Sequence, residues 1–254
     1  MLILVSNDDG IHSEGLRLLG ESLRSLGEVF IVAPDRERSA VGHSLTLDMP
    51  LRVKQVGDHL FAVNGTPTDC IALGVLGILK SKPGLVVSGI NIGQNLGDDI
   101  TYSGTVSAAM EAALLRIPSF AVSLVANGDY RFEAAAQFSR HLAQIIMKRP
   151  LPPDTLLNVN VPNLSPSDIK GVAITSLGRR HYSETVIVEK TDPRGKAYYW
   201  IGGGDYKWEY KEGTDIEAIN KNMISVTPLH LDLTDYKLAE KMKRWSIGFN
   251  PTER

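Results

Sequence analysis

The sequence predicts an α/β fold: a Rossmann-like, mostly parallel sheet flanked by helices, with a β-rich elaboration toward the C-terminal end. Residues 2–5 and 29–33 are continuous apolar runs of the kind that form strands covered on both faces. Between them Leu16, Leu19, Leu23 and Leu26 recur at spacings of three and four, which marks one apolar helical stripe. Beyond about residue 176 the texture changes to alternating and aromatic-rich stretches that do not continue a doubly wound sheet.

The strand, helix, strand order within about 33 residues is a βαβ unit with Gly27 as the helix stop, and its right-handed crossover fixes where the loops lie. Residues 34–44 are polar and long for a loop. Residues 45–63 contain extended apolar pieces separated by Pro50 and Gly57-Asp58, predicted as hairpin-like strands. Asn64-Gly65-Thr66-Pro67-Thr68-Asp69 supplies turn residues and helix caps before an apolar helix over 71–79. Pro83-Gly84 restarts the chain into a strand at 85–88, followed by a loop over 89–102.

A small-residue run over 107–113 then predicts a tightly packing helix that ends before Pro118, and residues 120–124 form another short strand. Residues 132–147 read as an amphipathic helix with Phe138, Leu142, Ile145 and Ile146 inward, and 156–160 as a strand closed by proline. These elements make an α/β core over 1–175. Residues 176–254, in the same overall domain, hold the alternating Val186-Ile187-Val188, the aromatic Tyr198-Tyr199-Trp200, a Gly202-Gly203-Gly204 hinge, a return strand at 224–227 and a helix over 236–245. A lone hairpin has too little core to stand in water, so its aromatic groups are expected either at a subunit contact or packed internally.

The formal charge is −2, from 27 basic and 29 acidic residues, so no overall field gathers polymeric nucleic acid. The apolar start is far shorter than a signal-peptide core and has no basic segment before it. No stretch reaches the roughly 18 to 20 apolar residues of a membrane helix. The expectation is a cytoplasmic protein without a membrane partner. The single cysteine, Cys70, lies among apolar neighbours in a predicted helix, which fits a buried inert thiol and excludes a disulfide framework.

The chemistry gathers at the strand ends. Asp8 and Asp9 are adjacent carboxylates just beyond the first strand, where like-charge repulsion and partial burial call for a compensating cation. Successive strand side chains point to opposite faces, so the two converge only if the chain leaves the strand there, as Gly10 permits. Open parallel sheets bind ligands beyond the carboxyl ends of their strands. Three polar segments share that rim: Ser6 to Gly10, Pro34 to Ser39, and Ser88 to Asn91. Together they offer two carboxylates, a hydroxyl and an amide carbonyl, a hard oxygen set suited to Mg²⁺, Mn²⁺ or a similar ion.

A fourth segment, Gly97 to Val106 with Ser103-Gly104-Thr105 near its end, leads directly into the small-residue helix. Its hydroxyls, its close-approach glycine and the unpaired N–H groups of the helix read either as an ordinary N-terminal cap, which would use only one of those hydroxyls, or as an anion cradle, the reading a metal on the same rim favours. Asn95 is placed to donate to a phosphate oxygen. Asp98-Asp99 reads as a solvated loop or a second metal site, and Arg36 and Arg38 as solvated side chains or substrate-charge partners. His12 and His43 flank the rim as proton-transfer or hydrogen-bonding groups.

With these residues assembled, the chain resembles the SurE family, the survival-protein 5'/3'-nucleotidases. The resemblance covers nearly the whole length: Leu4-Val5-Ser6-Asn7-Asp8-Asp9-Gly10, Ala33-Pro34 with Arg38-Ser39-Ala40, Asn64-Gly65-Thr66-Pro67 with Asp69, Ser88-Gly89-Ile90-Asn91, and Tyr102-Ser103-Gly104-Thr105-Val106. It implies metal ligation by Asp8, Asp9, Ser39 and Asn91, and phosphate contacts from Asn95, Ser103, Gly104 and Thr105. It further implies one divalent ion per subunit, with Mg²⁺, Mn²⁺ and Co²⁺ all open. Hydrolysis of nucleoside 5'- and 3'-monophosphates is implied, together with activity on short polyphosphate and assembly as a homodimer or homotetramer. The mechanism expected is in-line attack by metal-activated water, with Asp8 and Asp9 in the catalytic roles. Two rivals remain: a phosphatase that forms an aspartyl-phosphate, whose aspartates are usually separated by one residue, and a regulator that binds nucleotide without turnover.

Overall fold

The computed structural model describes residues 1–126, 128–181, 187–201, 207–209, 211–245 and 247–248. In chain order its elements begin with strand β1 (Leu2–Ser6), helix α1 (Glu14–Leu23), β2 (Glu28–Pro34), β3 (Val53–Gly57), β4 (Leu60–Val63) and α2 (Pro67–Leu73). They continue with β5 (Leu85–Ile92), a 3₁₀ turn at Gly97–Tyr102, α3 (Gly104–Leu114), β6 (Ser119–Val125), α4 (Glu133–Lys148) and β7 (Thr155–Pro162). The C-terminal part adds β8 (Val172–Ile174), β9 (Arg180–His181), β10 (Ile187–Thr191), β11 (Ala197–Ile201), β12 (Lys207–Trp208), α5 (Asp215–Asn220), β13 (Ile224–His230) and α6 (Tyr236–Met242).

Nine strands form one sheet in the order β3-β4-β2-β1-β5-β6-β7-β13-β8. β1 pairs in parallel with both β2 and β5, so the chain's progression across the sheet reverses at β1. In open parallel sheets such a reversal is where ligands bind, beyond the carboxyl ends of the strands, and Asp8 and Asp9 lie just past that end of β1. Both faces of the sheet are covered. Ile3 and Val5 pack with Leu16 and Leu19 of α1 and Ala135 and Ala143 of α4, whereas Leu4, between them, packs with Ile71 of α2 and Ala108 and Ala112 of α3. This alternation is the strand period of two, and it explains why the run is apolar throughout.

Several sequence expectations shift at their edges. The helix expected over 71–79 starts at Pro67, because Thr66 and Asp69 cap each other's backbone N–H groups, and its tail Gly74–Ile78 widens into a π-helix. The strand expected to stop at residue 88 runs to Ile92: after a register shift beyond Ser88, pairing resumes at Asn91 with Ser123 of β6. Asn91 therefore belongs to the end of a strand and not to a loop. Ile145 is 43% exposed, since Leu142, Ala143 and Ile146 fill the inward face of α4. The extended stretch from 45 to 51 forms no strand; only β3 and β4 make the hairpin. The return strand is part of the main sheet, antiparallel to β7 and parallel to β8. The C-terminal helix closes at Met242, and the Gly202-Gly203-Gly204 stretch lies outside the described residues. No helix among the described residues is long and apolar enough to cross a membrane.

Candidate active site at the carboxyl end of the first strand

The chain leaves β1 at Asn7 and turns at Gly10, whose φ is +95°. Asn7 is fully buried and fixes this turn: its amide nitrogen donates to the Gly10 carbonyl at 3.1 Å and to Ser13 Oγ at 2.7 Å. Asp8 is 5% exposed, and Asp9 is half-buried beside it.

Asp8 is seated by α3. The Thr105 N–H donates to Asp8 Oδ2 at 3.1 Å, and the Thr105 hydroxyl donates to Oδ1. The next residue back leaves little room for a side chain: a Cβ on Gly104 would lie 2.9 Å from Asp8 Cβ, 3.0 Å from Oδ2 and 3.1 Å from Pro67 Cγ. Asp9 is held from the opposite neighbour, with its Oδ2 accepting the Ile92 N–H at 3.1 Å. The loop that carries Ser39 is drawn in by the Arg38 N–H, which donates to the Asp8 carbonyl at 2.7 Å. Four sequence-distant segments thus meet at the two carboxylates.

The electrostatics of this cluster are lopsided. Burial pushes the Asp8 carboxyl above its ordinary value, against the Thr105 hydrogen bonds that pull it down. Burial and the neighbouring Asp8 charge push Asp9 up to about 7, with the Ile92 N–H opposing. The charges that act on the pair, Glu37's on both and Asp8's on Asp9, are all negative. A divalent cation fits this deficit, and the oxygen-only donors fit a hard ion. Among the described residues no three His, Cys, Asp or Glu side chains gather to hold a metal. A site here therefore needs neutral oxygens such as those of Ser39 and Asn91 to complete it.

Ser39 is exposed, and its hydroxyl donates to Glu37 Oε1 at 2.6 Å. The Asn91 amide nitrogen donates to the Gly93 carbonyl at 2.8 Å, which turns the amide oxygen the other way. Ser103 Oγ accepts the Val106 N–H at 3.1 Å as the α3 cap. Asn95 is buried, and its Nδ2 donates to Ser123 Oγ at 2.7 Å. Its backbone is clamped as well: the Asn95 carbonyl accepts from Asn158 Nδ2 and Asn160 Nδ2, each at 2.8 Å, and its N–H donates to Asn160 Oδ1 at 2.9 Å.

Asn158, Asn160, Ser123 and Glu37 were not singled out from the sequence. The signal for the two asparagines is present: they alternate with apolar residues in a fully buried strand, where a polar side chain must find a partner. Asp98 is exposed and Asp99 pairs with Arg180, so the second acidic pair is divided between solvent and an ion pair. His43 Nε2 lies 2.9 Å from Glu111 Oε2 on α3, and His12 is exposed. Cys70 is buried with its thiol pushed well above the ordinary value by desolvation, in keeping with an inert side chain. A cavity of ≈ 290 Å³ is lined by Ile11, His12, Arg24, His59 and Leu60 among others; none of the predicted metal or phosphate residues lines it.

Comparison with known proteins agrees with this construction. The family described as Survival protein SurE matches residues 3–184. The 5'-nucleotidase SurE of Geobacter metallireducens is 54% identical over 249 residues, covering 98% of each chain. That of Moorella thermoacetica is 50% identical over 247 residues, covering 95% of each. The crystal structure of the SurE protein from Aquifex aeolicus superposes with a TM-score of 0.87 at 47% identity, covering 96% of this chain and 98% of that one. With the family matched over residues 3–184, 54% identity to a relative across 98% of the chain and a shared fold at a TM-score of 0.87, the chain belongs to the SurE family.

Proposed function

We propose that the protein is a metal-dependent phosphomonoesterase that hydrolyses nucleoside 5'- and 3'-monophosphates to nucleoside and phosphate, with short polyphosphate as a further substrate. The observation that carries this reading is the Asp8-Asp9 pair, Asp8 buried and Asp9 half-buried, uncompensated by positive charge and with Asp8 set against the N-terminus of α3 at Gly104. Similarity to proteins named 5'-nucleotidase supports the substrate class.

Asp8, Asp9, Ser39 and Asn91 would hold one divalent ion, Mg²⁺, Mn²⁺ or Co²⁺. When bound, such an ion polarises phosphoryl oxygens and lowers the pKa of bound water. The protein supplies the rest. Thr105 holds Asp8 through both carboxylate oxygens, and Ile92 holds Asp9 through Oδ2, which leaves Asp9 Oδ1 to orient the attacking water and accept its proton. Ser103-Gly104-Thr105 brings the first turn of α3 up to Asp8; with both Thr105 donors on Asp8 and the Val106 N–H on Ser103 Oγ, the Ser103 hydroxyl and the Gly104 N–H are the donors that would meet the phosphoryl group, and Gly104 keeps that approach open. The clamp on the Asn95 backbone sets the position of its side chain at the same rim.

The adjacency of Asp8 and Asp9 favours attack by water over an aspartyl-phosphate, whose two aspartates are usually separated by one residue. Phosphate release from a panel of nucleotides and short polyphosphates, repeated in EDTA and with each metal restored, tests the reading. Turnover that is lost in EDTA and returns with a divalent ion is the expected result. Nucleotide binding with no release under any metal would leave a regulator in its place, and a trapped phosphoryl adduct on Asp8 would establish the covalent route.

A further inference from the structure

The 3₁₀ turn Gly97–Tyr102 immediately precedes Ser103, and it is fastened from outside. At its start the Gly97 N–H donates to Asp215 Oδ2 at 2.8 Å. Asp215 is the first residue of α5 and is fully buried; its Oδ1 also accepts the N–H groups of Gly178, at 2.8 Å, and Ile216, at 2.9 Å. The backbones are in contact there: a Cβ on Gly97, whose φ is +53°, would lie 2.8 Å from the Gly178 carbonyl oxygen. Two residues on, Arg180 Nη1 donates to both oxygens of Asp99, at 3.1 and 3.0 Å, with the two side chains 13% and 24% exposed.

The far end of the turn reaches the site. The Ser103 N–H donates to the Ile100 carbonyl at 3.2 Å, and the Tyr102 carbonyl accepts the Gly42 N–H at 3.1 Å from the loop that carries Ser39. The turn therefore connects three things: the C-terminal segment, the Ser39 loop and the start of α3.

We propose that Arg180 and Asp215 are positioning residues for the reaction, holding the Gly97–Tyr102 turn and, through it, the Ser103-Gly104-Thr105 approach to Asp8. Neither side chain needs to touch substrate. A phosphoryl-transfer site loses rate when its donors move by a fraction of an ångström, and a displacement of about 1 Å can cost on the order of 100-fold. Both contacts come from the one nitrogen Nη1, so lysine keeps the charge and a single-point contact to Asp99 but loses the reach and planar packing of the guanidinium. The Asp215 carboxylate meets three N–H donors, so an asparagine NH₂ would oppose one of them. The kinetic consequence rests on the phosphomonoesterase reading; the structural consequence does not.

The test uses full-length Arg180→Met, Arg180→Lys and Asp215→Asn, with Arg116→Met as control. The control breaks a 2.6 Å ion pair with Asp154 away from the turn. Amide hydrogen exchange, kcat, KM and melting temperature are measured on each. Expected for Arg180→Met are exchange accelerated about tenfold or more within 97–105, and a fall in kcat of about tenfold that exceeds any rise in KM. Arg180→Lys should recover part of both, and Arg116→Met should match the parent in both. Should Asp215→Asn fail to fold, the Arg180 variants decide. A folded Arg180→Met with unchanged exchange over 97–105, or with loosened exchange but parental kcat and KM, overturns the proposal. If the parent releases no phosphate from any nucleotide, the functional reading fails by itself. The exchange measurement then decides the clasp, with acceleration supporting it and none overturning it.

Discussion

Thr105 donates both its backbone N–H, at 3.1 Å, and its hydroxyl to the carboxylate of Asp8, 97 residues earlier in the chain. The contact locks the first turn of α3 to the end of β1. Thr105→Val keeps the shape and removes the hydroxyl, leaving a buried carboxylate oxygen without its strongest donor. It should lower stability by about 1–3 kcal/mol and kcat by roughly tenfold or more, while Thr105→Ser retains most of both. Denaturant melts and phosphate-release kinetics on the pair check this.

Gly104 is the tightest point of the same contact. Alanine there would place a methyl group 2.9 Å from Asp8 Cβ and 3.1 Å from Pro67 Cγ, so Asp8, α2 or α3 must shift. Overpacking of this kind costs about 1–3 kcal/mol, and here the shift falls on the carboxylate read as a metal ligand. Gly104→Ala should fold, melt at lower temperature and require a higher metal concentration for half-maximal turnover. An unchanged metal titration would count against the placement of the site.

Without metal, stability should depend on pH through Asp9. Its folded carboxyl is raised from 3.8 to about 7, so between those values the folded state holds a proton that the unfolded state has released. The stabilising contribution is full below about 3.8 and is lost as pH rises through about 7. In EDTA the melting temperature should therefore fall between pH 5.5 and 8, and Asp9→Asn should reduce that fall. A divalent ion should reverse the trend, since it favours the ionised carboxylates and binds only the folded chain. Thermal scans at the two pH values, with and without metal, measure all three outcomes.

The hairpin of β10 and β11 pairs Val188 with Trp200 and Glu189 with Tyr199, and carries Tyr199, Trp200 and Ile201 at 60%, 62% and 83% exposure. Two strands with so much exposed apolar surface are poorly stable in isolation. Native mass measurement should show a dimer or tetramer, and the double change Trp200→Glu with Ile201→Glu should shift it toward monomer. A parent protein that is monomeric at micromolar concentration would refute the assembly reading.

How much of this was legible beforehand can be followed element by element. The leucines of α1 and the apolar runs of β1 and β2 declare themselves, because period and burial are local properties of a sequence. The end of β5 does not. Nothing local to Asn91 says that it pairs with Ser123, because a strand's length is set by its neighbour's backbone. Ile145 shows the same limit: helical spacing identifies an apolar face but not which flank of it the core has room to take.

The site divides in the same way. The adjacent aspartates, the Ser-Gly-Thr turn before a small-residue helix and the polar loops at strand ends were all set by residue type and order, since charge, hydroxyl and chain flexibility are intrinsic to them. Tertiary structure alone decided that Thr105 serves Asp8, that Ile92 holds Asp9, that Asn158 and Asn160 clamp Asn95, and that Arg180 and Asp215 fasten the turn before Ser103. These contacts join groups far apart in sequence, and their donors and acceptors are matched only when the parallel sheet brings the strand ends to one rim. Sequence determines which chemistry the chain carries, and packing determines which of those groups face one another.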